Sequence, residues 1–224
     1  MGSIYLIRHG QASFGAANYD ELSDKGWQQS RVLGEHLKAL DIGFDAVITG
    51  TLQRQIHTWD GICEGAGWAQ HAPLRHAGLN EYDSAAVLAA HLTEPLPKPD
   101  TPELRRQHFQ KLREGLKAWT QGELQPQGMP SYVDWVANQQ DALAQAVALA
   151  PNGRVAVVSS GGPITSIIGV ITGMPPESSI ELNLRIKNTA ISELVVTPKR
   201  MAVLSFNETP HLQTPGTQAL LTYA

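Results

Sequence analysis

The sequence predicts an α/β protein in three layers, αβα, around a mostly parallel sheet. Three observations carry this. Short apolar runs recur at Ser3–Arg8, Asp45–Thr49 and Arg154–Ser159. Each is followed by a stretch with helical periodicity, so strands alternate with helices, as crossover-connected parallel strands require. Near the end, Ala190–Thr197 and Arg200–Phe206 are joined by Pro198-Lys199. That tight turn makes the C-terminal strand antiparallel.

The elements follow in order. Ser3–Arg8 is a buried strand that ends abruptly in Arg8-His9-Gly10. Residues 24–40 form a helix, with Ser23 as N-cap and Leu33, Leu37 and Leu40 on one face. Asp45–Thr49 is the second strand, and a helix covers 51–66. Leu74–Leu79 reads as a weaker third strand, and Asp83–Leu92 as a short helix. Pro95, Pro97, Pro99 and Pro102 then break the pattern. A helix follows over 103–120, and a loop rich in Gly, Gln and Pro covers 122–130. The helix at 131–149 sets Val133, Val136, Leu143 and Val147 on one face. Arg154–Ser159 is the clearest strand, and Gly161-Gly162-Pro163 opens a helix that runs to Gly173, with proline near its start and glycine past its end. Residues 1–224 read as a single domain, with a helical lid inserted at 95–130.

Composition narrows the function classes. An apolar share of 42% supports a substantial core. The net charge of −4 and the lack of a long basic run argue against nucleic-acid binding. No apolar segment is long enough to span a membrane, and no signal-like leader opens the chain. The lone Cys63 cannot form an internal disulfide and falls in an apolar-periodic segment, which makes it a buried structural thiol and suits a reducing compartment. A soluble, cytoplasmic protein is expected. The histidines show no metal-ligand spacing, so no metal is expected.

In an open parallel sheet, ligands sit beyond the carboxyl ends of the strands. Three such ends supply Arg8-His9-Gly10, the Gly50–Arg54 turn and Ser160-Gly161-Gly162-Pro163. Two arginines, a histidine and a helix amino end suit a dianion such as a phosphoryl group. Gln11 and Asn18, in the loop after His9, are placed to touch that ligand or to shape the loop.

At these residues the chain resembles the histidine phosphatase superfamily, the phosphoglycerate-mutase-like proteins. Arg8-His9-Gly10 resembles its N-terminal signature. Thr51-Leu52-Gln53-Arg54, with Thr58 beyond it, resembles its Pro-Leu-x-Arg-Ala-x-x-Thr segment, and Leu79-Asn80-Glu81 its Leu-x-Glu motif. Asn207–Leu212 resembles a common C-terminal ending. The resemblance implies that His9 attacks phosphorus and carries a phosphohistidine, that Arg8 and Arg54 bind the phosphoryl oxygens, and that Glu81 protonates the leaving oxygen. Ser160 and Gly161 would complete the substrate site. A small phosphorylated substrate is implied, with no cofactor.

One departure is evident. Ser160 stands where the family's second histidine would fall. A hydroxyl donates a hydrogen bond but brings no charge, a loss on the order of 10²–10³ in rate by analogy with removal of one transition-state donor. His57, one helical turn past Arg54, is a candidate substitute, against the simpler reading of an ordinary helix residue. The expectation is a phosphate monoester hydrolase, slowed by Ser160. The alternatives are a catalytically weak phospho-ligand-binding member and a phosphoglycerate mutase. In the lid, Arg105, Arg106, Lys111, Arg113 and Lys117 read as a solvated basic face, and Trp119 and Trp135 as core anchors.

Overall fold

The computed structural model describes residues 1–13, 20–69 and 72–223. The chain runs β1 (Gly2–Arg8), α1 (Asp24–Ala39), β2 (Ala46–Thr49), α2 (Gln53–Ala66), β3 (Leu74–Arg75), α3 (Ser84–His91), α4 (Pro102–Thr120), α5 (Tyr132–Leu149), β4 (Arg154–Ser159), α6 (Gly161–Thr172), α7 (Pro176–Asn183), β5 (Ile191–Val196) and β6 (Met201–Val203). Short 3₁₀ turns lie at Ala77–Leu79, Pro210–Leu212 and Gln218–Leu220.

The strands form a six-stranded sheet in the order β3-β2-β4-β1-β5-β6. β3, β2, β4 and β1 are parallel, whereas β5 runs antiparallel to both β1 and β6. This is the expected mixed α/β sheet with an antiparallel C-terminal strand. Its central strands are apolar at successive positions because both faces are covered. Ile4 and Leu6 of β1 join Val155 and Val157 of β4 against Leu143 and Ala146 of α5 and Ile164 and Ile167 of α6. Tyr5 and Ile7, pointing the other way, join Ala156 and Val158 against Leu33 and Leu37 of α1 and Trp59 and Ile62 of α2. Cys63 lies in this second cluster, fully buried, and burial pushes its thiol up to about 11, so it is inert at neutral pH.

A third cluster joins α3, α4, α5 and α7 through Val87, Leu116, Trp119, Trp135 and Ile180. Trp119 and Trp135 are core anchors here, with ring centroids 5.3 Å apart. The basic face of α4 is solvated and partly matched by acids: Lys111 pairs with Glu114 at 2.7 Å and Arg113 with Glu181 at 2.7 Å. Among the described residues no helix is long and apolar enough to cross a membrane.

Three expectations are corrected. The third strand is only Leu74–Arg75, because His76 caps a 3₁₀ turn by accepting from Gly78 N through Nδ1 (3.0 Å) and carries the chain away from the edge. Leu40 is 56% exposed, since it is the C-cap of α1 rather than part of its buried stripe. Val133 is 75% exposed, and α5 instead buries Trp135, Gln139, Ala142, Leu143 and Ala146. Its polar Gln139 on the inner face disguised the true stripe.

Candidate active site

β1 and β4 deliver their ends side by side, with Arg8 paired to Ser159 in the parallel ladder. The His9 amide continues that ladder by donating to Ser159 O at 2.9 Å. Arg8 and His9 are each 5% exposed, and Arg54, in the first turn of α2, is 8% exposed. The three therefore converge in a largely dry site rather than on an open surface.

The imidazole has one available tautomer. His9 Nδ1 lies 2.7 Å from its neighbour Gly10 O, which only accepts, so Nδ1 carries the proton. Nε2 is then a bare lone pair, and Arg54 Nε donates to it at 3.2 Å. Burial first, and then the charges of Arg8 and Arg54, hold the imidazole well below its ordinary pKa. The ring stays neutral and nucleophilic.

The arginines are held from behind. Arg8 Nη1 donates to the Ile186 carbonyl. Arg54 Nη1 pairs with Asp20 at 2.7 Å, and the second Asp20 oxygen accepts from Gln53 N at 2.8 Å. The loop after His9 is fastened as firmly. Gly10 N donates to Thr58 Oγ1 at 2.9 Å, and that hydroxyl donates to Arg54 O at 2.7 Å. A Cβ on Gly10 would come within 2.6 Å of Gly26 O, and one on Gly26 within 2.2 Å of Gln11 O, so loop and helix meet backbone to backbone.

The carbonyl of His9 accepts from Asn188 Nδ2 at 3.1 Å and from Thr189 N at 3.4 Å. Thr189 adopts φ +54°, an unfavourable region for a β-branched residue, at a cost of about 1–3 kcal/mol. That strain is sustained by His211, whose Nε2 lies 2.9 Å from Thr189 Oγ1. His211 is thus structural. Farther out, Thr222 Oγ1 donates to Asn188 Oδ1 (2.9 Å) and accepts from Gln29 Nε2 (2.7 Å), while Gln29 Oε1 accepts from Gln11 N (2.8 Å). One hydroxyl from the C-terminal segment therefore ties together both supports of the His9 loop.

Glu81 follows the 3₁₀ turn and faces the start of α6. Its Oε2 accepts from Gly162 N at 3.1 Å, while Oε1 is buried without a hydrogen-bond partner. Burial raises its pKa, and Gly162 N and the two arginines only partly oppose this. A Cβ on Gly162 would lie 2.1 Å from Oε1, so glycine is required for the carboxyl to approach. The neighbouring Tyr82 packs edge-on against Trp119 and Trp135, linking this position to α4 and α5.

Of the residues singled out from sequence, Arg8, His9 and Arg54 are gathered, with Glu81, Ser160 and Gly161 at the adjoining strand end. Gln11 uses its side-chain oxygen to accept from Ser23 Oγ at 3.0 Å, anchoring the loop to α1. Asn18 lies outside the described residues. Ser160 is the N-cap residue of α6, but its side chain makes no cap bond; Oγ accepts from Gln55 Nε2 at 2.9 Å. His57 stacks on Trp27 with ring centroids 5.3 Å apart, as an ordinary helix residue. Asp20, Gln55, Asn188 and Thr222 were not foreseen. Only Gln55 had a signal, since it stands where the resembled motif carries alanine.

The family model of the histidine phosphatase superfamily (branch 1) matches residues 4–209. A probable phosphoglycerate mutase of Erwinia tasmaniensis is 26% identical over 200 residues, 87% of this chain and 85% of that protein. A 2,3-bisphosphoglycerate-dependent phosphoglycerate mutase of Beijerinckia indica is 26% identical over 190 residues, 81% of this chain and 86% of the relative. Among solved structures, a phosphoserine phosphatase mutant of Entamoeba histolytica in complex with phosphoserine superposes with a TM-score of 0.66 at 20% identity, covering 95% of this chain and 100% of that one. The fold, the order of the motifs and the matched span agree, and this chain belongs to the histidine phosphatase superfamily, branch 1.

Proposed function

We propose that the protein is a phosphatase that hydrolyses a phosphate monoester through a phosphohistidine on His9. The observation that carries this is the forced tautomer: a bare, neutral Nε2 facing Arg54, with Arg8 adjacent. Nε2 attacks phosphorus while the two guanidinium groups hold the phosphoryl oxygens and match the charge of the transition state. Glu81, whose pKa burial raises, acts as the acid that gives a proton to the departing alkoxide. Water, activated by the resulting carboxylate, then cleaves the N–P bond and frees phosphate. The arginines supply the positive charge, so no metal enters the scheme and EDTA leaves the rate unchanged.

Ser160 and Gly161 take part at the phosphoryl side, as a hydroxyl and a backbone amide at the start of α6. Gln11 acts through the loop it anchors. The segment 95–130 serves as a lid within a single domain, a reading supported by the packing of Trp119 of α4 against Tyr82, the residue next to Glu81. The relatives include a phosphoglycerate mutase and a phosphoserine phosphatase, and hydrolysis is preferred because no feature among the described residues specifically demands mutase activity.

The deciding experiment is an acid-quenched reaction with a ³²P-labelled aryl phosphate. Wild type shows acid-labile label and releases phosphate, and His9→Ala shows neither. Unchanged phosphate release from His9→Ala would remove the nucleophile from the account. Transfer between two phosphoglycerates without free phosphate would make the protein a mutase, and saturable binding without turnover a binding member.

A further inference from the structure

Two residues at the entrance to α2 depart from the resembled motif, and both reach across to the segment that ends in Glu81. Thr51 stands where the motif carries proline, and Gln55 where it carries alanine. Thr51 N donates to Asn80 Oδ1 at 2.7 Å, and Asn80 Nδ2 donates to Thr51 Oγ1 at 2.7 Å. Gln55 Nε2 donates to the Leu79 carbonyl at 2.8 Å. Proline has neither the amide hydrogen nor the hydroxyl, and alanine has no side-chain amide, so the motif's own residues could form none of these bonds. The Asn80 amide has one orientation, because only its oxygen can face Thr51 N. Gly50 leaves room for both amides: a Cβ there would collide with Gln55 Oε1 and Asn80 Oδ1.

We propose that Thr51 and Asn80 are positioning residues for Glu81: their paired bonds set the acid's place relative to Arg54, the phosphoryl-holding residue three positions past Thr51. Neither touches substrate, and the inference rests on the reading of Glu81 as the acid. Arg54 is held without the pair, by Asp20 and against His9 Nε2. Leu79 O likewise keeps its bonds from Gln55 and from Ser159 Oγ, the latter at 2.7 Å. Loss of the Thr51–Asn80 bonds therefore loosens Asn80 and Glu81 without unseating the arginine or the 3₁₀ turn before them. The substrates that depend on the pair are monoesters of alkyl alcohols, whose oxygen needs a proton to depart.

The test measures kcat/KM, which reports the attack step, for two esters: glycerol 2-phosphate and p-nitrophenyl phosphate. Thr51→Pro restores the motif residue, and Gly50 before it tolerates a following proline. Thr51→Pro and Asn80→Ala are each expected to lower the value about tenfold on glycerol 2-phosphate and less than about twofold on p-nitrophenyl phosphate. The double variant falls no more than about twofold further, because residues acting as a unit are not additive. Thr51→Ser keeps both the N–H and the hydroxyl and retains the wild-type values. In a Glu81→Gln background Thr51→Pro costs nothing more. Equal losses on the two esters, an unchanged value on glycerol 2-phosphate, or the same tenfold loss again in the Glu81→Gln background overturn the positioning role while leaving the acid in place. Thermal unfolding reports whether Thr51→Pro folds; if it does not, Asn80→Ala decides. A Glu81→Gln enzyme that loses equally on both esters overturns the acid and the inference with it. A wild-type chain without turnover on either ester overturns hydrolysis and the inference together.

Discussion

His9 Nε2 lies 3.2 Å from Arg54 Nε, and the direction of that bond is set by Gly10 O on the other side of the ring. A guanidinium donating to Nε2 opposes its protonation. Burial and Arg8 act in the same direction, so the neutral ring persists below the ordinary imidazole value of about 6.5. The acid limb of kcat/KM therefore lies below that value. Replacing Arg54 by Met removes one cation, lowers kcat/KM at least about 10²-fold and moves the acid limb upward. A pH–rate series on both proteins checks the direction.

Glu81 is displaced the opposite way, upward from the usual carboxylate range, chiefly by burial. The form with neutral His9 and protonated Glu81 is thus widened from both sides. Glu81→Gln abolishes the alkaline limb. It slows an alkyl phosphate by about 10²–10⁴-fold, while p-nitrophenyl phosphate, whose leaving group needs little help, loses far less in the attack step. Equal losses on the two substrates would deny Glu81 the acid role.

Thr222→Val keeps shape but removes the hydroxyl that joins Gln29 to Asn188. The expected result is a severalfold fall in kcat with KM nearly unchanged. Unfolding shifts by about 1 kcal/mol, the usual worth of such a bond.

Gly26→Ala would press a methyl against the Gln11 carbonyl, a backbone atom with no rotamer to yield. A destabilisation of about 1–3 kcal/mol is expected, measured by urea unfolding. Activity falls with it, since Gln11 is part of the loop that carries His9.

His211 gives the fold a dependence on pH. Burial, assisted by nearby His36, lowers its pKa to about 3, whereas the unfolded chain titrates near 6.5. Between those values the unfolded state binds more protons, so stability is full above about 6.5 and declines as pH falls, by up to about 1.4 kcal/mol per unit. His211→Asn flattens that slope. Denaturant midpoints between pH 7 and 5 in both proteins provide the measurement.

Much of the architecture is legible in the residues. β1 and β4 announce themselves because strands covered on both faces are apolar at consecutive positions, as in Ile4–Ile7 and Val155–Val158. Ser23 is readable as a cap and does accept from Gly26 N. Helix α7 is not readable: its eight residues begin at Pro176, directly after Pro175, a pair that signals a break, and it packs against α6 and α4. The arginine–histidine constellation was visible because each member ends a strand or opens a helix. The supports were not, because Asn188 and Thr222 are far from His9 in sequence and Asp20 is far from Arg54, the residue it pairs with. The size of the His9 effect was hidden for the same reason, since its largest cause is burial, a property of the folded chain.

The Thr222 hydroxyl that links Gln29 with Asn188 has a consequence for biosynthesis. The proposed nucleophile His9 precedes this brace in the chain, so every residue between them must be synthesised before the two can meet. A chain that stops before Thr222 carries His9 without the hydroxyl that links Gln29 with Asn188.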